Sequence, residues 1–175
     1  MDHARSPKPR RRTPAPWLLA LAAACTVVLD AAGAPADDHQ RGEQSYRRGD
    51  VVGAIAALRP SAQAGHAPSQ TLLAFILDRA DFADEAARLY QAAAAQDDPE
   101  GHAGLANAYL TGRGIAKDEK RAWQHFSKAA ELGHAASIEV VANAHAKGLL
   151  GQGVDAEKAR QWRLRVARPA ASGPR

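Results

Sequence analysis

The chain has almost no cysteine. Its 175 residues hold one, Cys25, inside a stretch that reads as a leader. A body without it can form neither an internal disulfide nor a thiolate metal site, so packing alone must hold the fold. Aromatics are scarce too, at 5% of residues. Ala is abundant in their place. It is the best helix former, and its small side chain lets helices approach closely. The composition therefore predicts an all-α fold with few large anchors. Nor is there an apolar run of the ~20 residues a membrane helix needs. The longest, Trp17 to Leu29, has thirteen.

A strong charge of one sign is also missing, despite a sequence pI near 9.5. Arg5, Lys8, Arg10, Arg11 and Arg12 all lie at the extreme N-terminus, whereas residues 37–175 carry 18 basic against 17 acidic side chains, a net charge of +1. A nearly neutral body has no electrostatic footprint for DNA or RNA.

What is present begins with that N-terminal layout. A basic, Pro-rich stretch is followed by the thirteen-residue apolar run and then by small residues, AAGAPADD. This is the pattern of a signal peptide over residues 1–36, with Ala34-Pro35-Ala36 as the cleavage pattern and Asp37 as the new N-terminus. Ala32-Gly33-Ala34 fits less well, because Pro35 would follow the cut. Two other fates use the same residues. Leu21 to Cys25 resembles a lipobox with its Leu one place early, and an uncleaved segment would be a membrane anchor. Arg11-Arg12 lacks the apolar pair that a twin-arginine signal would need. The expectation is a periplasmic or secreted protein, with a periplasm-facing lipoprotein as the alternative.

Residues 37–167 read as helical repeats, and 168–175 as a disordered tail. Four Ala-led segments align, beginning at Ala54, Ala86, Ala122 and Ala159, with spacings of 32, 36 and 37 residues. That is the range for a helix–turn–helix repeat. Asp50, Asp118 and Asp155 each precede the aligned Ala by four residues, and Asp81 precedes its own by five. An Asp there would accept hydrogen bonds from the free N–H groups of a first helical turn. Ala122, Phe126 and Ala129 share one helix face, as do Ala86, Tyr90 and Ala93. Gly65 and Gly133 read as helix stops, each followed by His. Pro68 and Pro99 suit first helical turns. Leu105–Tyr109 aligns with Val141–His145, and Leu73–Leu77 is the earlier counterpart. Helices are expected to begin near residues 41, 67, 99 and 135. Gly112-Arg113-Gly114 would turn the central copy, Gly148, Gly151 and Gly153 the last copy with one more residue, and Asp78–Asp81 a shorter connection in the second.

These residues carry a resemblance. Leu105, Tyr109, Gly112 and Gly114, then Asp118 and Ala122, then Phe126, Ala129, Ala130, Gly133 and His134 resemble the Sel1-like repeat, a relative of the tetratricopeptide repeat. The match is fullest over 99–134, is altered over 135–167 where His145 replaces Tyr, and thins over 67–98 and 41–66. The resemblance implies a right-handed α–α superhelix of about four antiparallel helix pairs. It implies a concave face and a role in scaffolding other proteins rather than catalysis. Its motif residues pack and turn the chain, so none of them transfers as a binding residue.

Chemistry was sought beside this. The six histidines beyond the extreme N-terminus (39, 66, 102, 125, 134 and 145) show no HExxH and no tight cluster with carboxylates. His66 and His134 read as turn residues, His145 as a packed helix residue, and His125 as lying at a helix–helix boundary. Asp84-Glu85, Asp97-Asp98 and Asp118-Glu119 fall at helix starts or loops, where the helix dipole accounts for them. No nucleophile, base and orienter assemble, and Gly112-Arg113-Gly114 lacks the GK[ST] of a phosphate loop. No catalytic, cofactor-binding or metal residue is therefore named, and the chain is expected not to be an enzyme. Lys158, Arg160, Arg163 and Arg165 read as a polar outer cap to the solenoid. The reading is an envelope scaffold or adaptor for a protein partner, in which Gln70, Asn107 and Asn143 would offer polar contacts. An accessory factor for exopolysaccharide assembly or binding is the alternative, and a small enzyme ranks below both.

Overall fold

A computed structural model describes residues 34–166. They fall within the second of two compact units, which divide between Gly33 and Ala34. The signal-peptide run, Cys25 and the 168–175 tail lie outside the described residues. Eight helices are present among those described, and no strand: α1 (Pro35–Arg47), α2 (Val51–Gln63), α3 (Ala67–Arg79), α4 (Ala83–Ala94), α5 (Pro99–Thr111), α6 (Glu119–Glu131), α7 (Ala135–Lys147) and α8 (Ala156–Val166). Each packs on the next, and α3 also meets α1 and α5. The result is an all-α solenoid of four antiparallel pairs, with the odd-numbered helices side by side.

The core is made of what the composition supplies. The four aligned alanines, Ala54, Ala86, Ala122 and Ala159, are 0–1% exposed. Phe126, Tyr90, Leu58 and Leu73 fill the wider gaps between them.

Helix ends follow the sequence reading in most places. Asp50, Asp118 and Asp155 accept from the backbone N–H of Gly53, Arg121 and Lys158. Asp98, which the Asp alignment had missed, does the same for Gly101 at 2.6 Å. Asp81 is a correction. The residue before α4 is Phe82, which gives no side-chain cap, while Asp81 sits in the left-handed region at φ 63°. It ends the preceding helix rather than starting the next. The reason is a shared turn: Gly49, Gly65, Asp81, Asp97 and Gly133 all have positive φ, and each is followed by a residue whose N–H reaches back to a carbonyl five positions earlier. Asp stands in two copies where Gly stands in three. Asp is among the few non-Gly residues that tolerate this conformation.

α1 is a second correction. It begins at Pro35, not near 41. Pro at the first helical position and Asp37 and Asp38 in the first turn are favourable starts. The small residues around them had read only as a cleavage region.

The interhelical connections differ as expected. Seven residues separate α5 from α6, eight separate α7 from α8, and three separate α3 from α4. Both long loops return the same way: the N–H of Asp118 bonds the carbonyl of Tyr109 at 2.9 Å, and that of Asp155 bonds the carbonyl of His145 at 2.7 Å. The Tyr109–His145 alignment is thus a shared backbone anchor as well as a shared packing site.

Candidate functional site: a groove on the odd-numbered helices

A groove of about 510 Å³ runs over α1, α3 and α5 and reaches the start of α7. Leu72, Phe75 and Pro68 supply its apolar lining, and Tyr90 rises into it from α4. Tyr90 is 7% exposed and has that room because Gly104 faces it. A Cβ at Gly104 would overlap the tyrosine ring. Burial, and then the Asp78 charge, push the phenol well above its usual range, so it stays protonated and able to donate. It has no hydrogen-bond partner among the described residues.

Polar groups surround this lining. Thr71 donates to Asp98 at 2.8 Å. Glu43, Glu100, Asn107, His39 and His134 complete the wall. Burial, then the neighbouring His66, hold the His39 imidazole below its ordinary value, with Glu43 opposing them. No Lys or Arg lines the groove.

Of the three side chains expected to offer contacts, only Asn107 is exposed and lines the groove. Gln70 is a correction. It is 6% exposed, donates to the Ala62 carbonyl at 3.0 Å and accepts from Gln96 at 2.9 Å. It fastens α3 to its neighbours, because its position faces the α2 and α4 ends rather than the concave surface. Asn143 accepts from Arg163 at 2.9 Å and so joins α7 to α8. Arg163, one of the cap cations, is also within 3.9 Å of Glu139.

The histidines separate by role. His66 and His134 precede α3 and α7, and their Nδ1 atoms lie 2.8 and 2.7 Å from the hydroxyls of Ser69 and Ser137. His134 also accepts from the Ser137 backbone N–H and so caps α7, whereas His66 gives α3 no side-chain cap. His145 is buried edge-on to Trp123. His102 and His125 are brought together, with Nδ1 atoms 2.9 Å apart, and His125 stacks on Tyr109 at 5.7 Å. Asp97 stands 3.6 Å from His102 and 3.0 Å from Lys128. This His and carboxylate grouping corrects the expectation of none. The two histidines are 23 residues apart in sequence, and only the antiparallel pairing of α5 and α6 joins them. Even so, among the described residues no set of three or more His, Cys, Asp or Glu is placed to hold a metal.

Comparison with known proteins agrees with this architecture. The Sel1 repeat model matches residues 79–98, 99–134 and 139–162. Those segments are thus similar to the Sel1 repeat, and such repeats commonly act as protein-interaction scaffolds. An uncharacterized protein of Neisseria meningitidis serogroup B is 37% identical over 143 residues, 78% of this chain and 30% of its own length. A Sel1 repeat protein from Oxalobacter formigenes superposes with a TM-score of 0.72 at 20% identity, over 79% of this chain and 59% of that one. The Escherichia coli protein c5321, described as a protective antigen of uropathogenic strains with an SLR fold, gives 0.58 at 26% identity, over 77% of this chain and 34% of that one. This chain therefore spans only part of the length of each relative.

Proposed function

We propose that this chain is an exported adaptor of the bacterial cell envelope that holds a segment of a partner protein in the groove over α1, α3 and α5. The groove itself carries the reading. It is apolar along its lining, polar at its edges, and built on helices whose positions are fixed by the Ala-packed core. Rigid placement limits what binding must spend on ordering the site. Export rests on the layout of residues 1–36; cleavage after Ala36 would remove Pro35 and Ala36, the first two residues of α1, and leave Asp37 and Asp38 at its start.

Two measurements test this. A photoreactive amino acid at Asn107 should give a discrete protein adduct in the native envelope, and the same group at Glu131, on α6, should not. Absence of any adduct from Asn107 removes the adaptor reading. Mass spectrometry of the mature protein should find Asp37 first and no lipid. An intact Met1 or an acylated Cys25 would replace the soluble form with an anchored one.

A further inference from the structure

We infer that the groove is selective for an extended peptide segment that places a Lys or Arg between apolar side chains. This rests on the adaptor reading and goes beyond it by naming the chemistry of the occupant. Three carboxylates, Glu43, Asp98 and Glu100, line the groove, and among the described lining residues there is no Lys or Arg; the nearest cations are Arg47, paired with Glu43, and Arg79, over the Phe75 ring. Two of the three are partly engaged. Asp98 spends one oxygen on the Gly101 N–H and the Thr71 hydroxyl, and Glu43 pairs with the exposed Arg47 one turn on along α1. Glu100 has no ion-pair partner among the described residues. Set against Arg47, the three carboxylates still leave net negative charge for a cation entering the groove.

The apolar requirement comes from Leu72 and Phe75. Phe75 is 41% exposed, with Tyr46 edge-on to it and Arg79 over its ring. Tyr90 adds its ring to the same lining. The size fits a peptide. Three neighbouring helices at about 8–10 Å between axes span roughly 20 Å, and an extended chain covers that in about six residues.

The test uses fluorescent synthetic peptides of about eight residues, identical except for a central Lys, Gln or Glu flanked by leucines. Binding to the purified protein is read by anisotropy. The Lys peptide should bind about tenfold more tightly than the Glu peptide, and the difference should shrink as salt rises toward about 0.5 M. Glu43→Gln with Glu100→Gln should reduce the preference to under about threefold, and Glu43→Lys with Glu100→Lys should invert it. Both pairs lie on accessible walls, and unchanged circular dichroism melts would show that the fold survives. Equal binding of the three peptides overturns the inference, as does a preference that survives the Gln pair. Competition by a cationic glucosamine oligomer as strong as that by the Lys peptide would also overturn it, in favour of a polysaccharide. If Asn107 still yields a protein adduct while the peptides show no charge preference, the cation selectivity fails and the adaptor reading stands.

Discussion

The two halves of the solenoid solve the same packing problem with different spacing. From α1 to α5 each helix starts sixteen residues after the last, at 35, 51, 67, 83 and 99. Beyond α5 the step within a pair lengthens, because the α5–α6 and α7–α8 connections hold seven and eight residues. In the tight half a single left-handed residue reverses the chain. In the other half a loop closes on a backbone carbonyl in the last turn of the helix before it. The longer loop also does something the tight turn cannot. Arg113, at its tip, donates to Asp78 at 3.0 Å, to the Asp78 carbonyl at 2.7 Å and to Asp81 at 3.3 Å. These contacts hold the α3–α4 turn, where α4 lacks a side-chain cap. Gly114 lies against the Ala83 carbonyl in the first turn of α4. The better-preserved repeat thus supports its plainer neighbour.

That account is most exposed at Gly114. A Cβ there would overlap the Ala83 carbonyl, and its φ of +67° disfavours any side chain. Gly114→Ala should cost about 3 kcal/mol from backbone overlap and left-handed strain together. Gly151→Ala, in the last loop, has φ +73° but meets nothing within 4 Å. It should cost only about 1 kcal/mol. Equal losses in denaturant melts would mean that the α5–α6 loop does not brace α4.

Next comes the capping contrast. Asp118→Ala removes a genuine helix cap and should cost about 1 kcal/mol. Asp81→Gly removes a left-handed Asp at the end of the tight half and should lie within about 0.5 kcal/mol of wild type, since relief of strain offsets the lost Arg113 contact. A loss at Asp81 as large as at Asp118 would restore Asp81 as a start signal for α4. Arg113→Ala should be smaller than the Asp118 loss, about 0.5 kcal/mol, because its side chain is 47% exposed. Its amide exchange effect should fall on α3–α4 rather than on its own loop.

The smallest expected effect is a pH slope. Burial, then the neighbouring His102 and Arg121, hold the His125 imidazole below its ordinary value. The unfolded chain therefore binds the proton more readily. Stability is full above pH ~6.5 and falls as pH drops through that value toward the lower folded one. His39 is shifted in the same direction in the tight half. The 2.9 Å contact between His102 and His125 needs one ring to donate and the other to accept, so a second proton turns attraction into repulsion. His125→Gln should flatten the fall in melting temperature between pH 7.5 and 5.5 more than His39→Gln does. The reverse order would place the sensitive joint in α1–α3 instead.

Much of the fold was legible because it is periodic. Ala54, Ala86, Ala122 and Ala159 announced themselves by spacing, and all four are buried. Asp50, Asp118 and Asp155 announced the helix starts by preceding those alanines. The errors arose where one residue type serves two turn roles. Asp81 has the chemistry of a cap and the backbone of a helix stop, and the sixteen-residue series Gly49, Gly65, Asp81, Asp97 was the available clue. The site was less legible. Asn107 reaches the groove, but Gln70 had looked equally exposed on α3, and nothing in a linear pattern distinguishes one polar helix face from the other when both flank Ala-rich core. Tyr90 was read as a packing residue and is one, yet its ring also lines the groove in the space left by Gly104.

The sequence by itself determined the helices, their pairing and most of their ends. These depend on side-chain period and on local bonds between residues three to five apart, and both are written in order along the chain. Only the tertiary structure decided the groove and the histidine pair. Glu43, Asp98 and Glu100 come from two helices of different repeats, and His102 and His125 from facing helices of one repeat. Their nearness depends on how successive pairs rotate and stack. That rotation is set by summed packing of small side chains, with no single residue to signal it.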